Sequence, residues 1–98
     1  MKLIDLQPRW IHEHMFVFQC PHCRKAWLTC KDTPISFDEQ REIIEGAFGD
    51  DDYLVAGSRP DFSWEISSRD FKVMSVKPSI DASRSGCWHG FITNGEIT

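Results

Sequence analysis

Four side chains in this 98-residue sequence are spaced as metal ligands: Cys20 and Cys23 in the run CPHC, and Cys87 and His89 in the run CWHG. A C-x-x-C turn aims two thiolates at one point while backbone N–H groups of the turn hydrogen-bond the sulfurs. Cys87 and His89 stand one residue apart in a strand-like run, so the alternation of an extended chain predicts that both leave the same face. Three thiolates and one imidazole make a closed tetrahedral set suited to structural zinc. The long segment between the two halves is no obstacle, because the cost of closing a loop grows only logarithmically with its length. A structural zinc contributes on the order of 10 kcal/mol of apparent binding free energy, enough to decide whether a small domain folds.

Other chemistries fit these residues less well. A thioredoxin-type redox pair needs its C-x-x-C at a helix N-terminus, and RKAWLT after Cys23 reads as a strand. Cys30 lies seven residues beyond Cys23, roughly 20 Å along an extended chain at about 3.3 Å per residue, and is expected as a free thiol. His22 should point outward between the turn cysteines, and His12 and His14 in IHEH read as a surface pair rather than a second metal site. A catalytic zinc keeps an open coordination position, which four good ligands do not leave. Neither the deaminase pattern nor HExxH is present, while iron in place of zinc suits so thiolate-rich a set.

Length and composition fit one domain spanning residues 1–98, small enough that its core gains from a cross-link. Net charge is −4, with 11 basic residues scattered among 15 acidic ones. That balance does not favour nonspecific phosphate binding, which needs a concentrated basic face; nucleic-acid binding would require Arg9, Arg24 and Lys25 to gather on one side. No window reaches transmembrane length and the N-terminal run lacks an apolar signal core, so a soluble, cytoplasmic protein is expected. In a reducing cytosol four cysteines suit thiols or metal ligands better than disulfides.

The elements that must position these residues follow from periodicity and punctuation. MFVFQ (15–19) and RKAWLT (24–29) read as a hairpin around the cysteine turn, and MKLIDLQPRWI as an extended arm. SFDEQREIIEGAFG (36–49) reads as an amphipathic helix, with Ser36 and Glu39 as a capping box and Ile43, Ile44, Ala47 and Phe48 on one face. Residues 49–53 and 55–61 read as loops, FSWEI (62–66) and FKVMSV (71–76) as strands, with Pro78 ending the latter. CWHGFIT is the last long strand, folded back at Asn94-Gly95 in a type I′ turn.

Four tryptophans, Trp10, Trp27, Trp64 and Trp88, mostly mean core, although an exposed one would anchor a partner. By strand parity Trp88 should pack on the far face from Cys87 and His89. Asp50, Asp51 and Asp52 with Glu39, Glu42 and Glu45 make an acidic face, and the loop PSIDASRSG leads into the ligands, with Ser79 and Asp81 making turn hydrogen bonds or meeting a partner.

LIDLQPRWI, CPHC and MSVKPSIDASRSGCWHGFITNGEI together resemble a family of small phage and bacterial proteins of unknown function. Members often carry the label ammonia monooxygenase, which does not suit a chain without membrane spans. In related sequences a histidine can stand at position 87, which keeps a metal ligand there. The resemblance implies a zinc-binding fold and a phage or prophage setting. The combined expectation is a β-rich α+β domain, a zinc-ribbon-like or treble-clef-like antiparallel sheet with one helix. Zn2+ would be held by Cys20, Cys23, Cys87 and His89, and the domain would act by binding a host protein; a nucleic-acid-binding ribbon and a zinc-dependent hydrolase are the alternatives.

Overall fold

A computed structural model describes residues 1–49, 54–56, 62–83 and 86–98. The acidic run Asp50-Asp51-Asp52, most of the expected 55–61 loop, and Arg84 and Ser85 lie outside the described residues. The architecture is α+β and sheet-rich, with one α-helix and two four-stranded sheets among the described residues.

The first sheet runs in the order β1 (Arg9–His12), β2 (Met15–Gln19), β3 (Ala26–Lys31), β4 (Leu54–Ala56). Its pairs are antiparallel except β3 with β4, which are parallel. Parallel neighbours need a crossover, and the helix α1 (Phe37–Phe48) supplies it between β3 and β4. The 55–61 loop expected from sequence is therefore corrected at its start, where Val55 and Ala56, with Leu54, form a strand too short to show a period and pair with β3. Ser36 caps α1 as its spacing predicts, its Oγ accepting the Glu39 N–H at 3.2 Å. Gly49, at φ 62, ends the helix and donates its N–H to the Glu45 carbonyl.

Because β2 is buried on both faces, the first sheet is a middle layer. Its odd-numbered side meets the helix: Phe48 packs on Trp27 with ring centroids 5.5 Å apart, and the fully buried Lys31 donates to Gln40 Oε1 at 3.0 Å. Its even-numbered side, Phe16, Phe18, Ala26, Leu28 and Cys30, forms the main core with Leu3 and Leu6 of an N-terminal 3-10 turn and with the second sheet. The arm expected over residues 1–11 is thus a turn that plugs the core, followed by β1.

The second sheet orders β5 (Glu65–Ile66), β6 (Val76–Asp81), β7 (His89–Thr93) and β8 (Glu96–Ile97), all antiparallel. It contributes Met74, Val76, Ile80, Ile92 and Trp64 to the core. Two strand expectations are shifted here. The first half of FKVMSV, residues 71–73, is a turn and only Val76 is in a strand, and β6 runs on through Pro78, because the pairing with β7 is irregular between Val76 and Ile80 and needs no N–H from the proline. FSWEI pairs only at its last two residues, while the Trp64 N–H reaches across to the Lys31 carbonyl at 2.8 Å. The Asn94-Gly95 turn forms as predicted, at φ 50 and φ 78, and a Cβ at Gly95 would collide with the Lys72 carbonyl. No helix among the described residues is long and apolar enough to cross a membrane.

Thr29, 3 % exposed on the helix side of β3, has no hydrogen-bond partner for its Oγ1 among the described residues. A buried hydroxyl without a partner is costly, so Thr29→Val, which keeps the shape, should stabilise the protein by about 1 kcal/mol. Thermal unfolding should then shift upward by roughly 4–8 °C; an unchanged or lower midpoint contradicts that reading of Thr29.

Candidate metal centre

The turn between β2 and β3 carries the first two thiols. The Cys20 N–H bonds to the Ala26 carbonyl at 2.8 Å and the Arg24 N–H to the Cys20 carbonyl at 2.9 Å, which closes the chain into a tight knuckle. Closing it puts Arg24 at φ 60, in the left-handed region. The bend also explains why β3 begins at Ala26 rather than at Arg24. The Ala26 N–H points at Cys23 Sγ, 3.4 Å away. That bond and a second from the Lys25 N–H lower the exposed Cys23 thiol to about 7, against a smaller upward push from burial.

Cys87 comes from the other sheet. Its N–H bonds to the Ala82 carbonyl, and the Ala82 N–H bonds to the Trp88 carbonyl, closing the segment that joins β6 to β7. The sulfurs of Cys20, Cys23 and Cys87 all lie within 4.8 Å of one another, and no disulfide links them. Three thiolates around one tetrahedral ion with metal–sulfur bonds of about 2.3 Å stand about 3.8 Å apart, so sulfurs within 4.8 Å of one another need close by no more than about 1 Å to hold a metal. Without an ion it is Cys87 that resists ionisation. Burial, then the neighbouring Cys20 and Cys23 sulfurs, push the Cys87 thiol up to about 11. A dication removes the mutual repulsion of the thiolates, and their softness suits zinc, iron or another thiophilic metal rather than magnesium or calcium.

His89 is not among the residues brought together. The strand β7 begins at His89, so the alternation expected between Cys87 and His89 does not extend back to Cys87. Gly90 and Ile92 face the core, whereas His89, Phe91 and Thr93 face outward. His89 Nε2 lies 3.3 Å from the Ser79 Oγ on β6. Trp88 is the reason for this division. Its indole packs on Phe18, with centroids 6.2 Å apart, and lies so close over Gly90 that a Cβ there would sit 2.7 Å from its Cε2. Trp88 therefore packs on the face opposite His89, as strand parity predicts, but on the same side as Cys87, which precedes the strand.

The remaining sequence candidates fall outside the cluster. Cys30 is fully buried in the core, which raises its thiol pKa. His22 is exposed at the knuckle. A register shift in β1 turns His12 so that its Nδ1 accepts the His14 N–H at 3.2 Å, while His14 Nδ1 bonds Asp32 Oδ1 at 2.9 Å. The contact of Ser79 with His89 is not among the sequence expectations. The signal available was Ser-x-Asp followed by His at the next strand, legible only once β6 is seen to run through Pro78. Comparison with protein-family models, with curated proteins and with solved structures gives no match.

The knuckle makes a testable demand on residue 24. Arg24→Gly and Arg24→Val both lose the Arg24 Nη2 bond to the Asp5 carbonyl, 3.1 Å, so their difference isolates the backbone. A left-handed conformation is free for glycine and strained for a β-branched residue, so Arg24→Val should unfold more readily than Arg24→Gly by about 1–2 kcal/mol. Equal stabilities in chemical denaturation contradict the left-handed knuckle.

Proposed function

We propose that the chain is a small zinc-clamped binding protein, acting on a protein partner. For the phage-type proteins that its C-terminal run resembles, that partner would be a host factor. The observation that carries the reading is the convergence of Cys20, Cys23 and Cys87 from two different sheets. A metal there serves the fold: it ties the β2–β3 hairpin to the segment before β7, in a domain too small to be generous with core. The cysteines are the protein's share of the ligands. His89 completes the set only by leaving Ser79, and the metal content of a His89 variant decides whether it does.

Protein recognition is favoured over nucleic acid by where the cations are used. Arg9 lies over the rings of Phe48 and Trp27, at 4.9 and 5.7 Å, Arg24 is tied to Asp5, and Arg69 stacks on Trp10 at 3.9 Å. They are spent on internal contacts and do not form a stripe for phosphates. No tryptophan is exposed, but Phe91 on the outward face of β7 is 49 % exposed beside a groove lined by Trp64, Ile66, Pro78 and Thr93. An accessible aromatic beside a groove is the type of anchor that protein interfaces use.

Elemental analysis of the purified protein should find one zinc per chain, reduced to trace levels in Cys20→Ser, Cys23→Ser and Cys87→Ser. Chelation should abolish the cooperative melt of the wild type. A metal-free protein that melts unchanged in chelator contradicts the clamp. For the partner, Phe91→Ala should leave zinc and melting temperature unaltered while preventing recovery of the protein that co-purifies with the wild type.

A further inference from the structure

On the outward face of the second sheet, β6 and β7 bring a hydroxyl, a carboxylate and an imidazole together: Ser79, Asp81 and His89. Ser79 Oγ and His89 Nε2 are 3.3 Å apart, close to the 2.6–3.2 Å range of a nucleophile and its base, which is often looser without substrate. Asp81 and His89 are direct partners across the antiparallel ladder, so their side chains leave the same face as neighbours. The carboxylate of Asp81 is held in place by Ser83, whose N–H and Oγ reach Oδ1 at 2.9 and 2.6 Å. The spacing Ser79-x-Asp81 on one strand, with both residues turned away from the buried Ile80, is what places the two on one face. The groove that carries Phe91 begins at Pro78, the residue before Ser79.

We propose that Ser79 is an acyl-accepting nucleophile with His89 as its general base and Asp81 as the group that favours the imidazolium. The substrate is an ester or amide whose apolar acyl portion lies in the groove against Phe91 and Pro78. Ser79 Oγ attacks the carbonyl carbon, forming the acyl–oxygen bond and passing its proton to His89 Nε2. Collapse of the adduct breaks the bond to the leaving alcohol or amine, which takes that proton. Water then attacks the acyl-serine, giving its proton to His89 and from there to Ser79 Oγ, and a free carboxylic acid is released. Asp81, paired with His89 across the ladder, offsets the positive charge that His89 carries between these steps. This goes beyond binding, under which the same face would hold a partner without altering it.

The test is covalent labelling with a fluorophosphonate, in which the serine oxygen bonds to phosphorus, fluoride leaves and the proton goes to the base. The metal-loaded protein should gain one adduct, mapped to Ser79, and Ser79→Ala and Ser79→Cys, both folded by their melts, should gain none. His89→Ala should keep its zinc and label at least about 10²-fold more slowly, with Asp81→Asn between the two. p-Nitrophenyl hexanoate should be hydrolysed faster than the acetate, with the preference lost in Phe91→Ala; the matching hexanoyl anilide separates amide from ester hydrolysis. The proposal is overturned by an unlabelled wild type, by labelling that persists in Ser79→Ala, or by His89→Ala labelling at the wild-type rate. It is overturned equally if His89→Ala loses its metal, since His89 would then be a ligand. A wild type that labels at Ser79 but carries no metal would sink the zinc clamp and leave this site standing.

Discussion

The constraint on which this fold turns is the meeting of three sulfur atoms from both of its sheets. Cys20 and Cys23 belong to the hairpin of the first sheet, and Cys87 to the segment that starts the last hairpin of the second. Apolar burial alone presses the sheets together without direction. Coordination of one ion by the three cysteines would fix direction and distance, just ahead of the first residues of β3 and β7. Elsewhere the sheets are joined by less specific contacts. The Trp64 N–H reaches the Lys31 carbonyl, and Arg69 stacks on Trp10 while its Nη1 donates to the Glu13 carbonyl at 2.7 Å.

The sequence C-W-H-G at the start of β7 distributes its residues among three tasks. Cys87 turns to the cluster, Trp88 fills the core over Gly90, and His89 stands on the opposite face. Glycine at position 90 lets an indole lie against the strand that carries it. The cysteine cluster and the outward Ser79–His89 face are thus adjacent in sequence and separated by the sheet. Rigidity gained on one side is available to side-chain placement on the other, since β6 and β7 are the strands that both depend on.

The parts of the fold that local chemistry determines were legible from sequence. The helix cap at Ser36, the Asn94-Gly95 turn and the cysteine hairpin each follow from a few adjacent residues. What was missed depends on tertiary pairing. Leu54–Ala56 is a strand only because β3 lies beside it, and Pro78 stays inside β6 only because the ladder is irregular there. The same limit applied to the candidate site. Three of its four expected ligands converge, since a C-x-x-C turn carries its own geometry and Cys87 lies in the adjoining loop. His89 was assigned a face by alternation, and alternation holds only from the first paired residue onward.

The clamp is the central claim, and X-ray absorption at the metal edge of the protein as purified tests it most directly. The account predicts a first coordination shell dominated by three sulfur atoms at about 2.3 Å. A shell made of nitrogen and oxygen alone, or a protein with no metal to measure, would contradict it.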